Sequence, residues 1–304
     1  MQVHRRKQTT SSARTSALRR VMFAVLTATT LVAYAQAPLE RQHHARESTE
    51  TPRGSAENGQ TNSVNASGVA DLPLADGTTQ RVLYLTPGAA ARGTIVMFPG
   101  GAGTIDISKE GHIRHPDNFL VRTRDTWLQR GYAVVLVDAL GRSSLRGVRS
   151  TPEYAHITQE VVRFAKRQGS GPVWVMGTSQ GSIAAMNAAA HDPSGDISGV
   201  ILTESVSILG GSHETVFDAH PQDVRVPALV VANEDDACNV APPSEAPAIA
   251  QSMTHAKVAI LTVKGGEQRS SKACGSLSPH GYYGIEDQVI DRIVGWMQHG
   301  RLAS

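Results

Sequence analysis

Beyond position 70 the chain alternates between short apolar runs and longer segments with helical spacing. Residues 80–85 alternate in the period-two manner of a half-exposed edge strand. Later runs at 94–98, 133–137, 173–176, 200–203, 228–231 and 258–262 are apolar at nearly every position. A strand that is apolar on both faces suits a parallel sheet covered by helices on each side. Between these runs, 118–130 predicts one helix that stops at Gly131. Thr151, Pro152 and Glu153 read as an N-cap, a proline at the first helical position and an early acid, opening a helix that runs to about Arg167. The last helix places Ile285, Val289, Ile290, Ile293, Trp296 and Met297 on one face. Repeated strand–helix alternation predicts an α/β fold, a mostly parallel doubly wound sheet with helices on both faces, in a single domain over 69–304.

The first 35 residues stand outside that pattern. Six basic residues and no acid precede an uncharged apolar stretch that ends in Ala33, Tyr34 and Ala35. A positive segment, a short apolar core and an A-x-A end together read as a secretory signal peptide over 1–35. The apolar stretch is short of the roughly 20 residues a span needs, so no membrane anchor is expected after its removal. Residues 36–68 are polar, rich in Gln, Glu, Ser, Asn and Gly, and read as a disordered linker.

Export changes the meaning of the charge. The formal charge of +2 comes from 29 basic and 27 acidic residues, and losing six basic ones leaves 23 against 27, or −4. The basic balance is a property of the targeting segment and gives no support for nucleic-acid binding. The chain has two cysteines, Cys238 and Cys274. In an exported protein an isolated pair most simply forms one disulfide.

Active groups in such sheets gather at the carboxyl ends of the strands. The run 173–176 leads directly into Gly177-Thr178-Ser179-Gln180-Gly181, and an alanine-rich helical segment follows. That is the strand–G-x-S-x-G–helix setting in which a serine sits exposed on a sharp turn. A serine hydroxyl needs a base, and the base needs an orienting group. After the strand ending near Val231 come Glu234, Asp235 and Asp236. Asp236 is the first candidate for the acid, Asp235 the second, and Glu204 an alternative just past the 200–203 strand. Of the twelve histidines, position singles out His280, on the loop before the closing helix. The 94–98 strand ends in Pro99-Gly100-Gly101-Ala102-Gly103. Glycines there let backbone N–H groups approach a developing oxyanion, with Gly101 favoured, Ala102 the alternative, and the Gln180 N–H as second donor. The run 140–149 carries Arg142, Arg146 and Arg149 without an acid. It reads as a solvated basic loop or as a grip for an anionic substrate group. No spacing suggests a catalytic metal, His213, Asp218 and His220 lacking a framework that would fix them as ligands, and no nucleotide-binding glycine pattern is present. No cofactor is expected.

From about Gln80 to Met297 the chain resembles the α/β-hydrolase superfamily, on the strength of the 99–103 loop, Gly177 to Gly181, Asp236 and His280. The resemblance implies that Ser179 attacks a carbonyl, His280 moves the proton and Asp236 orients the imidazolium, with an acyl-enzyme on the path. Pro99 departs from the pattern, standing where many members have histidine. The segment between Ser179 and Asp236 leaves no room for a large cap. A bridge between Cys238, two residues after Asp236, and Cys274, six before His280, would tie the acid loop to the histidine loop. The expectation is a secreted serine hydrolase, periplasmic or extracellular, acting on a small or medium carboxylic ester. A serine peptidase or amidase, or a non-catalytic binding protein on the same scaffold, are the alternatives.

Overall fold

The apolar runs form one eight-stranded sheet in the computed structural model, which describes residues 67–88 and 90–302. The expected signal segment 1–35 and linker residues up to 66 lie outside the described residues. The strands are β1 (Gly68–Pro73), β2 (Thr79–Leu85), β3 (Thr94–Phe98), β4 (Ala133–Val137), β5 (Val173–Thr178), β6 (Ile197–Thr203), β7 (Ala228–Asn233) and β8 (Val258–Val263). Their order is β1-β2-β4-β3-β5-β6-β7-β8, with β2 antiparallel to both of its neighbours, β1 and β4, and every other pairing parallel. Among the described residues six α-helices accompany them: α1 (Phe119–Arg122), α2 (Arg124–Gln129), α3 (Pro152–Gln168), α4 (Gly181–Ala190), α5 (Ala246–Ser252) and α6 (Glu286–His299).

Strand periodicity divides the interior into two layers. Val96, Phe98, Val135, Val175, Leu202 and Val230 face α3, α4 and α5, where Tyr154, Val161, Ile183 and Ile249 pack. Their neighbours Ile95, Met97, Val134, Met176, Ile201 and Leu229 face the other way, against Leu120, Trp127, Ile290 and Trp296. Helices therefore cover both faces of a mostly parallel sheet, as the continuous apolar runs require.

Three local expectations are corrected. The 80–85 strand is not an edge: β1 flanks it, and Gly68, counted above in the linker, is the first residue of β1. Gln80, on the same face of the strand as Val82 and Tyr84, is fully buried, with its Nε2 donating to the Asp138 carbonyl at 2.8 Å. The true edges are β1 and β8. Only one face of β8 is covered, with Leu261 and Val263 buried and Ile260 exposed. The helix expected over 118–130 is broken into α1 and α2 at Thr123. The Thr123 hydroxyl donates to the Phe119 carbonyl at 2.7 Å, a side-chain bond of the kind that disturbs a regular helix.

Between β6 and β7 the chain makes only two single-turn 3-10 helices, Val216–Asp218 and Pro221–Asp223. Val216, Ala219 and Val224 are buried in the sheet's own core, so this segment adds no separate cap layer. Helix α3 starts as its sequence demands. The Thr151 side chain accepts from the Tyr154 N–H at 3.2 Å, and Pro152 opens the first turn. Thr151→Ala is expected to cost about 1 kcal/mol of stability, measured as a lower denaturant midpoint; an unchanged midpoint would refute this role for the cap.

Candidate active site

Ser179 sits between the end of β5 and the start of α4 with φ of 53°, a left-handed conformation in a non-glycine residue. The turn is possible because its flanks are glycines. A Cβ on Gly177 would overlap the Gly181 carbonyl, and one on Gly181 would overlap the Phe98 carbonyl at the end of β3. The Ser179 N–H donates to Thr203 O at 2.9 Å, pinning the turn to β6. Its side chain is left to face a cleft of about 390 Å3 whose walls include Gly101, Ala102, Asn118, Cys274 and His280.

Asp236 and His280 are brought together across the sheet's end. His280 Nδ1 lies 2.7 Å from Asp236 Oδ2, and both side chains are almost wholly buried. The second Asp236 oxygen accepts from the Cys238 N–H at 2.8 Å. His280 Nε2 has no hydrogen-bond partner among the described residues. The atom is buried; His280 and Ser179 both line the cleft, and the serine–histidine hydrogen bond itself is not made in this structure. The histidine loop is fastened from several sides. Ser278 Oγ accepts from the His280 N–H at 3.2 Å. Asn233 Nδ2 donates to the Pro279 carbonyl at 2.9 Å, and the Arg122 guanidinium donates to the Gly281 carbonyl. Asn233 and Arg122 were not anticipated. Their one sequence signal is a polar residue closing an apolar run for Asn233; Arg122 offers none.

Of the alternative acids, Asp235 is exposed and accepts from the Gly265 N–H at 2.9 Å, a loop-closing role. Glu204 is buried, and its Oε1 accepts from the Asn233 N–H at 2.9 Å. Burial, together with the nearby Asp236 carboxylate, pushes the Glu204 carboxyl well above the ordinary carboxylate value. Burial and the Glu204 carboxyl likewise push the Tyr282 phenol well above its usual value. Oxygen and nitrogen atoms of Glu204, Asp236 and His280 fall within 4.8 Å of one another. The Asp236–His280 and Asn233–Glu204 hydrogen bonds use one atom of each of these three side chains.

The 99–103 loop lies against the serine turn, Gly100 being packed on Thr178 and Ser179. Gly101 has φ of 61°. Among the described residues, no protein acceptor takes the N–H of Gly101, Ala102 or Gln180. The loop carbonyls are held from behind by Arg149, which corrects the reading of 140–149 as simply a solvated loop or an anion grip. Arg149 is only 1 % exposed, and its Nη2 donates to Gly101 O at 2.9 Å and Pro99 O at 3.4 Å. Burial disfavours its charge, and Glu214 is nearby to offset that. Glu214 also holds the arginine's own segment, accepting from the N–H groups of Gly147, Arg149 and Ser150 at 3.1, 3.2 and 2.8 Å. Arg142 and Arg146 do lie on the surface, where Arg142 pairs with Asp106 at 2.9 Å.

Neither known protein families nor curated proteins return a match to this chain. Solved structures do. Est1E from Butyrivibrio proteoclasticus superposes with a TM-score of 0.53 at 15% identity, covering 76% of this chain and 98% of its own. Thermogutta terrifontis esterase 2, in a form phosphoramylated by tabun, gives 0.51 at 16%, covering 78% and 96%. A puromycin-hydrolyzing peptidase of Mycobacterium tuberculosis gives 0.53 at 14%, covering 79% of this chain and 40% of its own. These likenesses, with the sheet order above, show that the chain has the α/β-hydrolase fold.

Cys238 and Cys274 are joined in a disulfide, with Cα atoms 4.6 Å apart and a sequence separation of 36. It links the loop of Asp236 to the loop of His280. Closing a loop of that length is expected to stabilise the fold by about 3–4 kcal/mol. Replacing both cysteines by alanine should lower the unfolding free energy accordingly in denaturant titrations. An unchanged free energy would show that the bridge contributes no stability.

Proposed function

We propose that the protein is a serine hydrolase acting on carboxylic esters. The observation that carries this reading is the Asp236–His280 pair at 2.7 Å, with Nε2 left without a partner on a histidine that lines the same cleft as Ser179. Esters bound there put the acyl carbonyl over Ser179. Ser179 Oγ adds to the carbonyl carbon while His280 Nε2 takes its proton, and Asp236 orients and stabilises the imidazolium. The carbonyl oxygen becomes an oxyanion and accepts from the N–H groups of Gln180 and Gly101, or of Ala102 beside it. Collapse expels the alcohol, which receives the proton from His280. Water, deprotonated by His280, then attacks the acyl-enzyme, releasing the carboxylic acid and restoring Ser179.

The cleft volume of about 390 Å3 falls at the small end of ligand pockets, roughly 300–1,000 Å3, which suits small or medium substrates. Ester cleavage is favoured over amide cleavage because an alkoxide leaving group asks less of the general acid and because two of the neighbours above are esterases. The peptidase among them keeps amides as the second reading. A non-catalytic binding role leaves the histidine–carboxylate pair without a purpose. We place the mature protein outside the cytoplasm, on the basic and apolar leader and on a disulfide that oxidising compartments preserve. No helix among the described residues is long and apolar enough to cross a membrane.

A fluorophosphonate probe should label the wild-type protein and not Ser179→Ala, as read by intact mass. Equal labelling of the variant sinks the assignment of Ser179, and turnover of nitrophenyl amides as fast as the matching esters sinks the ester preference. Arg149→Met is expected to lower kcat by about 10–100-fold with little change in KM, because misplacing one oxyanion donor costs a few kcal/mol in the transition state. A rise in KM alone would show instead that Arg149 serves substrate binding.

A further inference from the structure

Glu204 has no task in the mechanism above, yet it occupies the most demanding position at the site. It directly follows β6 with φ of 44°, a left-handed conformation that disfavours any residue with a Cβ. Its backbone N–H donates to Val231 O at 3.1 Å, and its side chain is directed into the interior, where the residue is 2 % exposed. Strain of this kind persists only where the surroundings over-determine it.

The two carboxyl oxygens of Glu204 have different surroundings. Oε1 accepts from the Asn233 N–H at 2.9 Å. Oε2 is buried and is reached by no hydrogen bond of ordinary length; the Tyr282 hydroxyl favours the ionised form, but less than burial and the Asp236 carboxylate oppose it. The groups that face the carboxyl are Asp236 from the loop after β7, and His280 and Tyr282 from the loop before α6. The Tyr282 hydroxyl is directed to Val231 O at 3.2 Å, and no lysine or arginine among the described residues pairs with Glu204. An ionised Glu204 would leave an anionic oxygen without an ordinary hydrogen bond in a dry site beside a second carboxylate. Asp236 has better claims to the negative charge, since it accepts from both the His280 ring and the Cys238 N–H. One proton shared between two such carboxyls removes the conflict.

We propose that Glu204 is a positioning residue whose carboxyl stays protonated at Oε2 and donates a hydrogen bond to Asp236, steadying the carboxylate that orients His280. The proposal rests on the reading of Ser179, His280 and Asp236 given above. It accounts for the acceptor at Oε1, the lack of an ordinary hydrogen bond at Oε2 and the strained backbone that aims the group inward. The upward push that burial gives this carboxyl agrees with it.

The side chain of glutamine has the same shape as a protonated glutamate, with an oxygen for Asn233 and an N–H for Asp236. Glu204→Leu lacks the donor. Kinetically, Glu204→Leu should lose about 10–100-fold in kcat, the value of one hydrogen bond to a charged acceptor, while Glu204→Gln recovers most of that loss. The acid limb of kcat/KM, which reports His280, should stay in place in Glu204→Gln. A glutamine variant as impaired as the leucine one, or an acid limb displaced to lower pH by removal of a negative charge, overturns the proposal.

Stability supplies an arm that needs no turnover. A carboxyl that holds its proton more tightly when folded than its ordinary value of 4.5 makes the folded state the richer in protons above that pH. Stability then falls as pH rises through the window between the unfolded and folded values. Denaturant titrations should show wild type losing stability relative to Glu204→Gln as pH is raised above about 4.5. A gap that is flat with pH, or that moves in favour of wild type, refutes the protonated state even where Ser179→Ala behaves as expected. A Ser179→Ala protein that stays active would instead refute the reading on which the positioning role rests.

Discussion

The site depends on how closely the turn after β5 approaches the end of β3. With no side chain on Gly181, the first turn of α4 lies directly against the Phe98 carbonyl, and Gly100 then packs on Ser179. That single approach sets the distance between the serine and the 99–103 loop beside it. It also fixes where the rest must come. Thr203 O receives the Ser179 N–H, so the end of β6 is registered to the turn, and Glu204 follows at once in its left-handed conformation. Parallel pairing carries the register on to β7, whose end delivers Asn233 and the Asp236 loop.

Around this contact, polar groups are used mainly to hold backbone and not to bind one another. Glu214 and Asn187 grip the 147–151 segment, Arg149 grips the 99–103 loop, and Asn233 grips the histidine loop. Each of these side chains is buried and satisfies carbonyls or N–H groups that an irregular loop would otherwise leave unpaired. The consequence is a frame of loops tied together by buried side chains.

The sheet was largely legible because its strands are apolar on both faces. The runs at 94–98 and 133–137 coincide with β3 and β4, and 173–176 extends into β5 only by the residues that enter the serine turn. What escaped was set by tertiary context. Strand β1 carries too few apolar residues to announce itself, since an edge strand needs only one face covered. Thr123 breaks a helix that its neighbours favour. Ser179, Asp236 and His280 stand out as candidates because each follows or precedes a strand or helix at a recognisable point. Arg149 does not. Three arginines in a loop look alike, and only the inward-turned carbonyls of Pro99 and Gly101 distinguish the one that is buried. Glu204 was visible as an acid at a strand end, but its closeness to Asp236 arises between loops far apart in sequence.

The order of the strands also decides from which side the molecule is handled. The described chain enters through β1, the outermost strand, and β7 with the acid loop lies six strand spacings away. At about 4.8 Å per spacing that is roughly 29 Å across the sheet. Whatever joins the domain ahead of Ser67, whether a natural leader, a carrier or a graft for immobilisation, is therefore attached at the margin remote from Asp236 and His280. The amino-terminal junction offers a handle by which the protein can be fixed to a surface with its cleft left clear for traffic.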